Sequence, residues 1–223
     1  WKCYSKVEDY FARINVILSQ GKPIRSVLVI HPLESAWVRF RADWRSQNEL
    51  KELDDQLVRL RDWLLESHLD FDYGDEDILS RTAGVTAGPS GALMAVGQAT
   101  YHVVVVPPLI TIRATTLRLL RQFVEKGGLV VFAGDPPSFV NAVKDREAKR
   151  IAEQCVVVPF SKKGLLTAIE ERGRSVSICD ADGAEIPSLF YQLREDADAW
   201  YLFVVNNDRA NSHEGIVRTT EIK

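Results

Sequence analysis

Four consecutive valines, Val103 to Val106, stopped by Pro107 and Pro108, constrain the fold more than any other feature of this chain. Valine is β-branched, and its restricted χ1 favours a pleated strand over a helix. A run without a polar residue has no face to offer water. The strand must therefore be covered on both sides, as in a parallel sheet inside an α/β domain. The residues that follow agree. Thr111 to Lys126 carries a helical period, and Leu129-Val130-Val131-Phe132 is a second unalternating run that ends in Ala133-Gly134-Asp135-Pro136-Pro137. Strand, helix and strand over this span read as one βαβ unit. Ligands and chemistry in such sheets gather at the carboxyl ends of the strands. Here those ends offer prolines, a glycine and one aspartate, with no Ser, Cys, His or phosphate-cradling loop, so the centre of the sheet reads as scaffold.

The rest of the chain extends this alternation. Residues 1–22 hold a helix with a capping-box pair at Ser5 and Glu8, apolar residues at Val7, Phe11, Ile14 and Leu18, and a stop at Gly21 and Pro23. Val27 to Ile30 is a buried first strand that runs into a loop, His31-Pro32-Leu33-Glu34-Ser35-Ala36-Trp37, the start of a Trp-rich cluster that reaches Arg45. A long helix starts at a second capping box, Ser46 and Glu49, and continues through Leu64. Leu69 to Tyr73 alternates and reads as strand two. A Gly/Pro/Ser/Thr-rich loop then reaches Gly91, and Leu93 to Val96 reads as a short edge strand. Beyond the βαβ unit, Ser138 opens a helix through Ile151, Val156 to Val158 is a buried strand, and Ser161 caps a last helix that ends at Gly173. From Ser175 onward only strands remain, at Val176 to Cys179, Leu189 to Leu193 and Trp200 to Val205. A change from an α/β domain over 23–173 to a partial β-sandwich over 174–223 is expected. So few strands, with a start at Trp1, fit a piece of a longer protein.

A net charge of −3 gives no global attraction to nucleic acid or to an anionic membrane. No run approaches the roughly 18 apolar residues of a membrane span, and the amphipathic start does not resemble a signal peptide. Cys3, Cys155 and Cys179 lack C-x-x-C spacing and read as small hydrophobes. Gly84, Gly88 and Gly91 lack the dinucleotide spacing, and P-loop, zincin and nucleophile-elbow motifs are absent from the sequence, so neither a cofactor nor a metal is expected. The acidic run from Asp70 to Asp77 fails as a calcium loop, because Asp75 would stand where the loop needs glycine and Arg81 where it needs glutamate.

Two clusters remain as candidates for binding. Alternation places Asp70 and Asp72 on one face of strand two, just before Asp75 and Glu76. The other cluster holds Glu34, Trp37 and Trp44 among Arg39, Arg41 and Arg45. If strands one and two are parallel, both clusters leave one sheet edge. Glu34, Trp37, Trp44, Asp72, Asp75 and Glu76 then become candidate substrate-binding residues, with tryptophan faces suited to a sugar ring and carboxylates to its hydroxyls. Aromatics interleaved with arginine also suit nucleic acid, but one short patch on an acidic chain argues against it. The competing reading is a domain interface, where Trp and Arg are enriched. His68 and His102 flank strands and read as structural.

The whole order resembles the middle domain of large bacterial glycoside hydrolases. The residues that carry the likeness are His31-Pro32-x-Glu34-Ser35-x-Trp37, Asp70-Phe71-Asp72-Tyr73-Gly74-Asp75-Glu76, Tyr101-x-Val103-Val104-Val105-Val106-Pro107-Pro108, Thr111-Ile112-Arg113 and Gly127-Gly128-x-Val130-Val131-x-x-Gly134. The pattern is similar to the trimerisation domain of family 42 β-galactosidases and to α-rhamnosidase-like enzymes, over roughly residues 5 to 173. The resemblance implies a flavodoxin-like, doubly wound parallel sheet related to class I glutamine amidotransferases, placed between a catalytic barrel and a β-sandwich. Residues 1–22 then become the exit helix of that barrel. It also implies carbohydrate as the parent enzyme's ligand, the two flanking domains as partners, and a role in forming a homo-oligomer. The compartment, bacterial cytoplasm or secreted and periplasmic, stays open. The amidotransferase relatives carry a Cys nucleophile on a Gly-x-Cys-x-Gly turn, whereas Phe132-Ala133-Gly134-Asp135-Pro136 has no thiol. The family 42 catalytic glutamates belong to the barrel, so no catalytic residue is expected in this chain. The alternatives are an enzyme of amidotransferase or flavodoxin type without a recognisable nucleophile, and a free-standing carbohydrate-binding or interaction module.

Overall fold

The computed structural model describes residues 1, 3–43, 48–88 and 91–219. Helix α1 (Tyr4–Leu18) is followed by β1 (Lys22–Pro23), β2 (Val27–Ile30), α2 (Leu33–Arg39), α3 (Asn48–Glu66) and β3 (Phe71–Gly74). Then come α4 (Glu76–Thr82), β4 (Ala83–Gly88), β5 (Gly91–Val96), β6 (Ala99–Tyr101), β7 (Val103–Val106), β8 (Thr111–Ile112), α5 (Ala114–Glu125) and β9 (Leu129–Ala133). The chain continues through β10 (Phe139–Val140), β11 (Val143–Lys144), α6 (Glu147–Ala152), β12 (Val156–Val158) and α7 (Lys162–Gly173). Four strands complete it, β13 (Val176–Cys179), β14 (Leu189–Glu195), β15 (Trp200–Asn206) and β16 (Ile216–Thr219).

The centre is a five-stranded sheet in the order β12-β9-β7-β2-β3, with every neighbouring pair parallel. Taken in chain order, the strands lie 2-1-3-4-5, so direction of travel reverses between β2 and β7. Successive side chains serve opposite faces. Leu28, Ile30, Val104, Val106, Val130 and Phe132 meet Leu117, Leu120 and Phe123 of α5, Ile151 of α6 and Met94 of β5. Val27, Val29, Val103, Val105 and Val131 meet Leu60 and Leu64 of α3 and Leu165 and Ile169 of α7. The valine run is buried because both layers are present, as its lack of alternation required.

A third cluster, Val176, Ile178, Ile186, Leu189 and Leu193, forms the core of the C-terminal strands. These strands return to the start of the chain, since β14 pairs antiparallel with both β15 and β1. Buried His68, between α3 and β3, fastens them to the α/β layers. Its Nδ1 accepts the Ile178 N–H at 3.3 Å, its Nε2–H donates to the Ile186 carbonyl at 3.2 Å, and its own carbonyl accepts the Tyr191 hydroxyl. Burial lowers the His68 pKa, which favours the neutral ring that this pattern uses.

Several expected elements differ. Residues 138–146 do not open a helix. Phe139 and Val140 pair with β8 and β11, and Asn141 and Ala142 turn with positive φ, so α6 starts only at Glu147. The loop expected before Gly91 contains α4 and β4, and β5 is the central strand of an antiparallel three-stranded sheet, not an edge. Helix α5 begins at Ala114 because Thr111 and Ile112 are claimed by β8. Ser5 does not cap α1, whose N-cap is Cys3 without a side-chain bond, and Cys3 is exposed rather than a packed hydrophobe. The second capping serine, Ser46, lies outside the described residues. In contrast, Ser161 caps α7 by accepting the Gly164 N–H.

Candidate functional site

The point where strand order reverses lies between the carboxyl ends of β2 and β7, the default ligand crevice of an open α/β sheet. Here the chain fills it. The His31-Pro32 segment turns into helix α2, where a loop was expected, and the fully buried Ser35 side chain reaches the strand after β7. Its Oγ accepts the N–H groups of Ile110 and Thr111 at 3.0 and 3.1 Å and donates to the Thr111 carbonyl at 3.1 Å. The serine thus joins the ends of β2 and β7.

Outside this latch, three carboxylates gather round one arginine, two on its guanidinium and one on its backbone N–H. Arg113, the residue before α5, pairs with Glu34 of α2 through its Nε and with Asp77 of α4 through Nη1 at 3.0 Å. Its backbone N–H donates to Glu76 Oε2 at 2.8 Å. Glu76 is buried, and its pKa is raised by that burial and by the charge of Glu34. Asp77 is exposed and held below the usual carboxylate range by its bonds to Arg113 and Arg81. Asp75 is the N-cap of α4, with Oδ1 accepting the N–H groups of Asp77 and Ile78. Its charge opposes the burial that lowers the His31 pKa.

Of the candidates named from sequence, Glu34, Asp75 and Glu76 therefore belong to one strand-end region. Trp37 lies one turn beyond Glu34 on α2 and is 62% exposed, with Val38 and Phe40 exposed beside it. Asp72 is elsewhere. It stands within β3, opposite Leu28, and its carboxylate bonds to the guanidinium of Arg25 at 2.8 Å and to the Tyr101 hydroxyl at 2.9 Å. Arg25 stands just before β2, and Tyr101, the last residue of β6, just before β7, so Asp72 faces the amino end of the sheet. Arg25 also binds Asp70, whose carboxyl is nonetheless pushed up to about 6 by burial. Trp44 lies outside the described residues. Arg113 is the functional-looking residue that sequence reasoning missed as a hub, for its partners stand 36 to 79 positions away.

The arrangement defines an α/β domain whose strand-end crevice is closed by its own chain and rimmed by an acidic, Arg-centred network with an exposed tryptophan. No family model matches the chain, and no curated protein sequence is significantly similar to it. Among solved structures it is similar to a GH42 exo-carrageenase from Bacteroides ovatus, at 12% identity and a TM-score of 0.53, over 87% of this chain and 28% of that one. A β-galactosidase from Rahnella sp. R3 aligns at 14% identity and a TM-score of 0.33, over 82% of this chain and 24% of that one. Gan42B, a GH42 β-galactosidase from G. stearothermophilus, aligns at 12% identity and a TM-score of 0.35, over 90% and 24%. The chain thus spans about a quarter of the length of these structures, and the first of them shares its fold.

Proposed function

We propose that this chain is a non-catalytic accessory domain of a bacterial glycoside hydrolase, flavodoxin-like in its strand order, which braces a catalytic barrel and presents the Glu34–Trp37 edge to the substrate cleft. The observation that carries this reading is helix α1. It is 15 residues long and amphipathic, yet none of its residues is buried, and Tyr4, Val7, Tyr10, Phe11, Val16 and Ile17 stand in solvent. An exposed apolar stripe of this length marks a surface meant for another protein surface. The likeness to part of a GH42 exo-carrageenase supports another domain of a glycoside hydrolase as that surface. Supporting it further, the polar side chains at the ends of β2 and β7 are occupied by bonds that hold α2, α4 and α5 together.

The test uses the full reading frame. Replacing Tyr10 and Phe11 with glutamate is expected to lower the melting temperature of the whole enzyme. Trp37→Ala is expected to raise KM for an oligosaccharide with kcat retained. An upstream region without a barrel-length segment, or unchanged stability and KM in both variants, would overturn the proposal. The purified chain alone is expected to release no nitrophenol from nitrophenyl glycosides and no ammonia from glutamine.

A further inference from the structure

A second surface at the carboxyl edge of the sheet lies apart from the Arg113 network and touches the Ser35 latch only at Ile110. Beyond β7, β9 and β12 the chain opens into a groove of about 810 Å3, walled by Pro108, Ile110, Pro136, Pro159 and Phe160. It continues into a lobe of about 560 Å3 along α3, and Gln56 borders both. Single ligand sites span about 300 to 1,000 Å3, so the two lobes together exceed what one small molecule needs. The floor is rigid. Prolines cannot sample other φ values, and Gly134 turns out of β9 with φ +111°, a conformation that a side chain would strain.

The charges select the ligand. Among the described lining residues Arg39 is the only cation, and it is paired with Glu49 at 3.2 Å. Glu52 is paired with Arg59 at 3.1 Å. Asp135 is exposed and has no ion-pair partner among the described residues. A phosphate, sulfate or carboxylate would enter this groove against an unpaired negative charge, with no unpaired guanidinium among the described lining residues to receive it. A neutral ligand that offers apolar ring faces to the prolines and hydroxyl donors to Asp135 and Gln56 suffers neither penalty. We infer that this groove binds a neutral oligosaccharide, without turning it over. The inference rests on the proposed attachment to a glycoside hydrolase and adds to it a substrate-holding site apart from the Trp37 edge. The rigid walls limit the ordering cost of binding, while the open, two-lobed shape fits several linked rings rather than one enclosed sugar.

Calorimetric titration of the purified chain with β-1,4-galactotetraose, cellotetraose and a sulfated galactan tetraose tests this. A neutral tetraose should bind with a dissociation constant below about 1 mM. Asp135→Ala and Gln56→Ala should each weaken it about tenfold, the loss of one hydrogen bond to a bound hydroxyl. Both variants should keep the parent melting temperature, and the distant exposed substitution Arg121→Ala should leave affinity unchanged. Absence of binding by either neutral tetraose, tighter binding of the sulfated one, or binding that Trp37→Ala abolishes and the groove variants leave intact would each overturn the inference. Those results leave the accessory-domain reading to the α1 variants, whose helix shares no residue with the groove.

Discussion

Removing the hydroxyl of Ser35 is the sharpest test of how the strand ends are closed. The side chain is 0% exposed and makes three hydrogen bonds, so Ser35→Ala strands two backbone N–H groups and one carbonyl at once. A buried polar group without a partner costs about 1–3 kcal/mol. The Ile110 N–H is only partly buried and regains water, so it adds little. The N–H and carbonyl of Thr111 are buried and bear most of the loss. Alanine returns about 0.5 kcal/mol of helix propensity within α2. The net expectation is a destabilisation of about 2–4 kcal/mol, equivalent to a fall in melting temperature of about 4–15 °C for a chain of this size. Urea denaturation followed by tryptophan fluorescence measures the first, and calorimetry the second. Ser35→Cys, which keeps a weak donor and acceptor, should fall between the two. Hydrogen exchange supplies the local readout, with faster exchange at Ile110 and Thr111 than at the β7 amides. A loss below about 0.5 kcal/mol, the scale of an ordinary surface change, would refute the latch.

Other outcomes follow from the same bonds. The lowered pKa of His68 means that the unfolded chain takes up its proton first. Stability from this residue is therefore full above about pH 6.5 and declines as pH falls below it, by at most about 1.4 kcal/mol per pH unit. His31 and His102 act in the same direction, and Asp70, with its carboxyl raised to about 6, acts oppositely at lower pH. The difference between parent and His68→Gln in urea titrations from pH 7.5 to about 5 isolates the His68 slope, and parallel curves would count against the fastener. Val105→Asp places an unpaired charge at the centre of the parallel sheet and should cost several kcal/mol, read as loss of soluble, folded chain. A double-mutant cycle of Glu34→Gln and Arg113→Gln should give a coupling of no more than about 1 kcal/mol, because the two side chains remain 21% and 29% exposed. A much larger coupling would show that the network carries more than a surface brace.

Elements whose cause is local were legible in the residues alone. Val103 to Val106 and Leu129 to Phe132 had to be covered strands because they contain no polar position, and the layers on both faces of the five-stranded parallel sheet cover them. Ser161 caps α7 through an N–H three residues away, so its signal needed no partner from elsewhere. Features that depend on distant parts of the chain were not legible in this way. The serine signal at Ser138 lost to pairing of Phe139 and Val140 with β8, whose residues stand 28 positions earlier. Asp72 and Glu76 are four residues apart, yet β3 sends one to Arg25 and Tyr101 at its amino end while α4 turns the other toward Arg113. A carboxylate's identity is written in the sequence, but its partner is set by which strands lie side by side. Strand order is fixed by burial of the whole sheet, and no local pattern contains it.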